Sequence, residues 1–197
     1  MSLSNEQWTV SSVELFFLNI EISSALWVHI HAFEFTLRTF LLSRLTGFIE
    51  TTLSGRETFL SSEDAQEILK AHNQMKNKGL SPNLDLIAQS LGLAFWTKLL
   101  AKRYHRPVWL KISPHLANKT MRREEFYKKA RTIKNLRNAI AHQEFILKRN
   151  LTRDYRFLDE LLTILDPFLA REIKIRSRVP ILLGNLSASM HKVIERT

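Results

Sequence analysis

Along most of the chain, apolar residues recur at i, i+3, i+4 and i+7, the spacing of helices that bury one face. Ser4-Asn5-Glu6-Gln7 reads as a cap before a helix running through Val10, Val13, Phe16 and Phe17. A second, long helix is expected over about Ser23 to Leu45, ending near Gly47. Ser61 and Ser62, followed by Glu63 and Asp64, open another that lasts to about Met75. Lys78-Gly79-Leu80-Ser81-Pro82-Asn83 is a loop by its turn residues, and a helix from about Leu84 through Lys102 follows. A less regular stretch surrounds Pro107 and Pro114; two further helices are expected at about Arg122–Leu147 and Asp154–Arg171. The last segment, Val179 to Arg196, carries a weaker helical pattern. With no repeat and no low-complexity segment, the pattern predicts an all-α bundle: one helical domain over residues 1–197, with C-terminal helices over 152–197.

Composition narrows this further. Only 5 Gly and 5 Pro occur in 197 residues, whereas sheet-rich folds need turn residues every ~8–12 positions. At 45% hydrophobic residues the chain can fill a core, which argues against disorder. The absence of cysteine excludes a disulfide framework, thiolate-bound zinc, an iron–sulfur cluster and thiol catalysis. Met1 to Val10 is polar and contains Glu6, unlike a signal peptide. The apolar region Ala25–Leu45 is interrupted by His29, His31, Glu34, Arg38 and Arg44, short of the ~18 consecutive apolar residues of a span. The expectation is a cytoplasmic protein without membrane contact.

The formal charge of +10 is concentrated. Between Lys98 and Arg137 lie thirteen Lys or Arg against two acids, Glu124 and Glu125, while the rest of the chain is close to neutral. A focused positive field favours a polyanion. A solvated helix face is the plainer reading of such a run.

The basic window leads into Ile133-Lys134-Asn135-Leu136-Arg137-Asn138-Ala139-Ile140-Ala141-His142-Gln143-Glu144. Its Arg-Asn-x-x-x-His resembles the signature of the HEPN superfamily, an Arg four to six residues before a His. It is most similar to the Abi-like branch, bacterial proteins associated with abortive infection, which favour Leu-Arg-Asn-x-x-x-His-x-Glu. Three further segments agree in order and spacing. Phe33-Glu34-Phe35-Thr36-Leu37-Arg38 is similar to the Glu-x-x-Leu-Arg helix of that branch. Leu91-Gly92-Leu93-Ala94-Phe95-Trp96, with Leu99-Leu100, resembles its Phe-Trp helix, and Trp109 falls at a common aromatic position. The resemblance covers roughly residues 23–147. Two positions depart from it: Glu144 stands where members modified by a nucleotidyltransferase often have Tyr, and Thr39 where Asn is common.

The resemblance implies a helical domain that forms a homodimer and cleaves RNA without a metal or cofactor. It implies Arg137 and His142 as the catalytic pair, converging from both chains on an interfacial cleft, with Asn138 as polar neighbour. The chemistry also stands on its own. RNA carries its nucleophile, the 2′-OH, beside the scissile phosphate. Histidine, with an ordinary pKa of ~6.5, can take or give the proton, and arginine grips phosphate oxygens in its fork. Lys128, Lys129, Arg131 and Lys134 would hold the RNA backbone. A 2′,3′-cyclic phosphate and a 5′-OH are the expected products.

At ~100° per residue, Phe126, Ala130, Ile133, Leu136, Ile140 and Leu147 form an apolar stripe, with Arg137 near its edge. Arg137 and His142 then stand ~140° apart on an ideal helix. Either the helix distorts near His142, or the Arg side chain swings out, or the pair acts across the dimer. An Arg in an apolar stripe calls for a carboxylate or phosphate; Glu34 and Glu144 are candidates, though Glu34 and Arg38 also suit an intrahelical ion pair. As purely structural residues, Arg137 would be a buried ion-pair partner and His142 a helix C-terminal residue favoured by the macrodipole. Phe95, Trp96 and Trp109 read as core. His29 and His31, two apart, point to different sides of a helix and do not make a metal pair.

The expectation is therefore a ribonuclease acting as a toxin or phage-defence effector, with RNA, a second copy and a neutralising antitoxin as partners. The alternatives are a non-catalytic helical module binding RNA or a nucleotide, and a plain interaction scaffold.

Overall fold

The computed structural model describes residues 10–194, with side chains over 12–186; every described element is helical. The first, α1, runs unbroken over Val10–Arg44. The sequence pattern divides this stretch at Ser23, but no Gly or Pro lies within it, and two serines do not stop a helix whose apolar positions continue in phase. The Ser4–Gln7 cap lies outside the described residues. Leu18, Ile22, Leu26, Ile30, Phe33, Leu37 and Leu41 form the buried face of α1, each burial contributing about 1.5–3 kcal/mol. By length and composition its Ser12–Arg44 portion could cross a bilayer; here that buried face packs against other helices.

The chain turns at Gly47, in the left-handed region at φ 78°, into the short α2 (Phe48–Leu53). Helix α3 (Ser62–Asn77) begins as its sequence suggests, with the Ser61 hydroxyl accepting from the Asp64 N–H. The single helix expected over 84–102 is two, α4 (Leu84–Ser90) and α5 (Leu93–Lys98). Leu91 is extended between them, and its carbonyl accepts the Trp96 indole N–H at 2.6 Å. Residues 102–115 form short irregular helical turns, including α6 (Leu110–Ile112), around Pro107 and Pro114.

Helix α7 (Arg123–Ala141) follows, then α8 (Leu151–Leu165), α9 (Pro167–Ile175) and α10 (Val179–Ile194). The pattern joins α8 to α9, but Pro167 cannot continue a helix from Asp166. Asp166 instead caps α9, accepting from the Leu169 N–H at 2.9 Å. Helix α1 is central, touching α5, α7, α8 and α10, and one continuous core includes Trp96, Phe95, Trp109 and Phe126.

Two fully buried carboxylates pin the ends of helices. Asp64 takes hydrogen bonds from Lys98 at 2.7 Å, from Arg103 and from the Tyr104 hydroxyl, joining α3 to the chain after α5. Burial pushes its pKa up, but the bonds from Lys98, Tyr104 and Ser61 outweigh this and hold it below the usual carboxylate value. Asp154 receives Arg149 and Arg153 through paired guanidinium bonds of 2.9–3.2 Å.

Candidate functional site

Helix α7 buries Phe126, Ala130, Ile133, Leu136 and Ala139 at helical spacing, which fixes where its polar positions face. The helix ends at Ala141, six residues before the sequence pattern fades. The Gln143 N–H bonds to the Ile140 carbonyl at 3.0 Å and the Glu144 N–H to the Ala139 carbonyl at 2.9 Å. This is a Schellman stop with Gln143 in the left-handed position, φ 57°, usually held by Gly. His142 is the C-cap, at φ −91° and ψ 10°, and its side chain is exposed. Beyond it, the Ile146 N–H docks on the Asn19 side chain of α1 at 2.8 Å.

His142 still makes the regular helical bond, its N–H to the Asn138 carbonyl at 2.9 Å, and the chain leaves the helix at Gln143. No hydrogen bond or ion pair joins the two side chains within the chain.

Arg137 is half-buried. Its guanidinium carbon lies 5.8 Å from the centre of the Trp27 ring, and its Nε is shielded from solvent with no hydrogen-bond partner. The carboxylate expected to meet it is absent: neither Glu34 nor Glu144 forms an ion pair with Arg137. Glu34 does not pair with Arg38 either; Arg38 stands 5.6 Å from the Phe35 ring centre. Glu144 is exposed and Glu34 half-buried. Asn138, half-buried, accepts the His142 N–H through its backbone carbonyl at 2.9 Å.

The basic residues separate into two groups. Lys128 and Arg131 are exposed and Lys134 half-buried, and none has an ion-pair partner among the described residues. Lys129, expected beside them on the RNA, is instead held at 2.6 Å from Glu125 and 2.7 Å from Glu160, with its side chain 12% exposed. Burial lowers its pKa, but the two carboxylates outweigh this and raise it. Lys98, Arg103 and Arg123 are likewise tied to acids, so a third of the basic window is spent internally.

Trp27 is the residue that sequence reasoning did not single out. In a helix apolar on all sides nothing distinguishes a core tryptophan from one at the edge, and Trp27 remains 39% exposed. Among the described residues it shares an exposed apolar face of α1 with Val13, Phe17, Ile20 and Val28. Among the described residues, no group of three or more His, Asp or Glu could hold a metal ion.

The chain matches no protein-family model, no curated protein and no solved structure.

Proposed function

We propose that this all-α protein is a metal-independent endoribonuclease of the HEPN type, active as a homodimer and serving as a toxin or phage-defence effector. The observation that carries the reading is Arg137, a half-buried guanidinium that no carboxylate among the described residues neutralises, on the helix that ends at the exposed His142. An arginine left without an acid among the described residues suits a phosphate. In this reaction the RNA 2′-OH attacks phosphorus and gives its proton to His142. The same residue of the second copy protonates the departing 5′-oxygen, and Arg137 meets the charge on the phosphorane. Lys128, Arg131 and Lys134, on the same helix and without acidic partners, supply the backbone contacts. The open apolar face of α1 adjoins Arg137 through Trp27, so a second copy covering it would bring two motifs together.

The test is cleavage of RNA by the purified chain in EDTA, with products analysed for 2′,3′-cyclic phosphate ends. His142→Ala is expected to lower turnover ~10²–10⁴-fold without loss of RNA binding. Turnover unchanged in that variant would refute the assignment. Phe17→Glu is expected to yield a monomer with little activity. A second reading, a non-catalytic RNA- or nucleotide-binding module, is favoured by the Trp27–Arg137 contact, since an exposed indole beside a guanidinium can stack a base. Salt-sensitive retention of RNA with no turnover would select it.

A further inference from the structure

The turn that closes α7 leaves the side chains of His142, Gln143 and Glu144 exposed on a fixed backbone. The Gln143 and Glu144 N–H groups bond back into the helix, and the Ile146 N–H ties the following residues to Asn19 of α1. Gln143 holds its place against a steric cost, because at φ 57° its Cβ crowds the carbonyl that follows. The other left-handed positions among the described residues, Gly47, Gly55 and Gly79, are all glycine. The Gln143 carboxamide has no hydrogen-bond partner among the described residues, so no side-chain contact there offsets the strain. Strain of this kind collects where a side chain meets a ligand.

Glu144 is the acidic residue of the same turn. Among the described residues it pairs with no cation, Arg137 included. It stands two residues from His142, and consecutive Cα atoms are only ~3.8 Å apart, so imidazole, carboxamide and carboxylate are presented side by side. A carboxylate repels phosphate and accepts hydrogen bonds without donating any. On an RNA strand the donors are the 2′-hydroxyls and the N–H groups of the bases. His142 takes the 2′-OH proton at the cleaved bond, which leaves the base to Glu144.

The four bases differ in what they offer such an acceptor. Adenine and cytosine place a bare ring nitrogen beside the amino group, and uracil flanks its one N–H with keto oxygens. Each of the three turns a lone pair toward the second carboxylate oxygen. Guanine alone sets two donors together, N1–H and the N2 amino group, which a carboxylate accepts in parallel. Its neighbouring O6 is an acceptor, suited to the amide N–H of Gln143.

We infer that Gln143 and Glu144 read guanine at the nucleotide whose 2′-OH attacks, Glu144 accepting from N1–H and N2–H while Gln143 donates to O6. This specificity rests on the ribonuclease reading, and neither residue moves a proton in the reaction.

Single-stranded RNA of mixed sequence, digested by the full chain in EDTA, reports the base at every new 2′,3′-cyclic phosphate end. Guanine is expected there roughly 10–100-fold over the other bases, as one bidentate contact predicts. RNA carrying inosine in place of guanosine lacks the N2 amino group and should be cut about tenfold more slowly at those positions. Glu144→Gln should remove most of the preference. Gln143→Gly, which also relieves the strain, should lower it about tenfold, whereas a purely structural turn would leave it unchanged. A ratio between bases does not depend on the fraction of protein folded. Ends shared evenly or dominated by another base, inosine cut as fast as guanosine, or either variant with its preference intact would overturn this specificity alone. Absence of any cleavage would overturn the ribonuclease reading, and the specificity with it.

Discussion

The Arg137 guanidinium rests 5.8 Å from the centre of the Trp27 ring while its Nε, sealed from water, bonds to nothing. A buried structural ion pair would look different: breaking one costs about 3–5 kcal/mol because a charge is stranded. A cation over an indole contributes only about 0.5–2 kcal/mol, and here it is offset by the unsatisfied nitrogen. Arg137→Ala is therefore expected to change unfolding free energy by less than about 1 kcal/mol, measured by urea denaturation. A loss of several kcal/mol would assign Arg137 a structural role and remove the basis for a phosphate contact.

Gln143 holds a left-handed conformation that costs a non-glycine residue about 1–2 kcal/mol. Glycine avoids that strain but loses about 0.5–1 kcal/mol through the freedom of its unfolded state. The difference favours glycine, so Gln143→Gly should stabilise the fold by ~0.5–1 kcal/mol. Gln143→Val, with a β-branched side chain at positive φ, should destabilise it. The midpoint of thermal unfolding ranks the three proteins.

Lys129 and its neighbours on α7 make a contrast that one set of variants can read. Removing Lys128, Arg131 or Lys134, which have no acidic partner, should leave stability within ~0.5 kcal/mol. Each should lower the slope of log affinity against log salt for single-stranded RNA by about 0.7. Lys129→Ala should do the reverse, costing ~1–2 kcal/mol, between surface and buried pairs, with little change in the salt slope.

Asp64 is held charged below its ordinary value of 3.8, so its contribution is full above that value and is lost as pH falls through the lowered native value. Wild-type stability should therefore decline as the solution is acidified below about pH 4. Asp64→Asn leaves Arg103 without its carboxylate and Lys98 with Glu67 alone, and because both cations reach solvent a loss of about 1.5–3 kcal/mol is expected at pH 7. The variant should also show a shallower acid limb. Parallel pH profiles of unfolding free energy for the two proteins would contradict this account of the site.

Much of the architecture is readable from residue order alone. Helical periodicity, the Ser61 cap, the left-handed Gly47 and the irregular turns about Pro107 and Pro114 are local effects, carried by spacing and backbone preference. The boundaries that the pattern misplaces are also explicable. Between Asp154 and Arg171 a proline inside an apolar rhythm was outweighed by the rhythm, and Pro167 restores the break. Between Leu84 and Lys102 the apolar spacing runs through Leu91 and Gly92, where the backbone opens to accept the Trp96 indole.

By itself, then, the sequence determined an all-helical chain, the crowding of basic residues before Arg137, and the placing of that arginine and His142 on one segment. Only the tertiary structure decided which charges are free. Ion pairing joins residues far apart in the chain, so Lys129 is claimed by Glu160 and Lys98 by Asp64, while Arg137 meets an indole instead of an acid. Periodicity could not distinguish the sides of α1, which is apolar all round. Packing against α5, α7, α8 and α10 buried Ile22 and Leu26, and left Phe17, Ile20 and Trp27 uncovered.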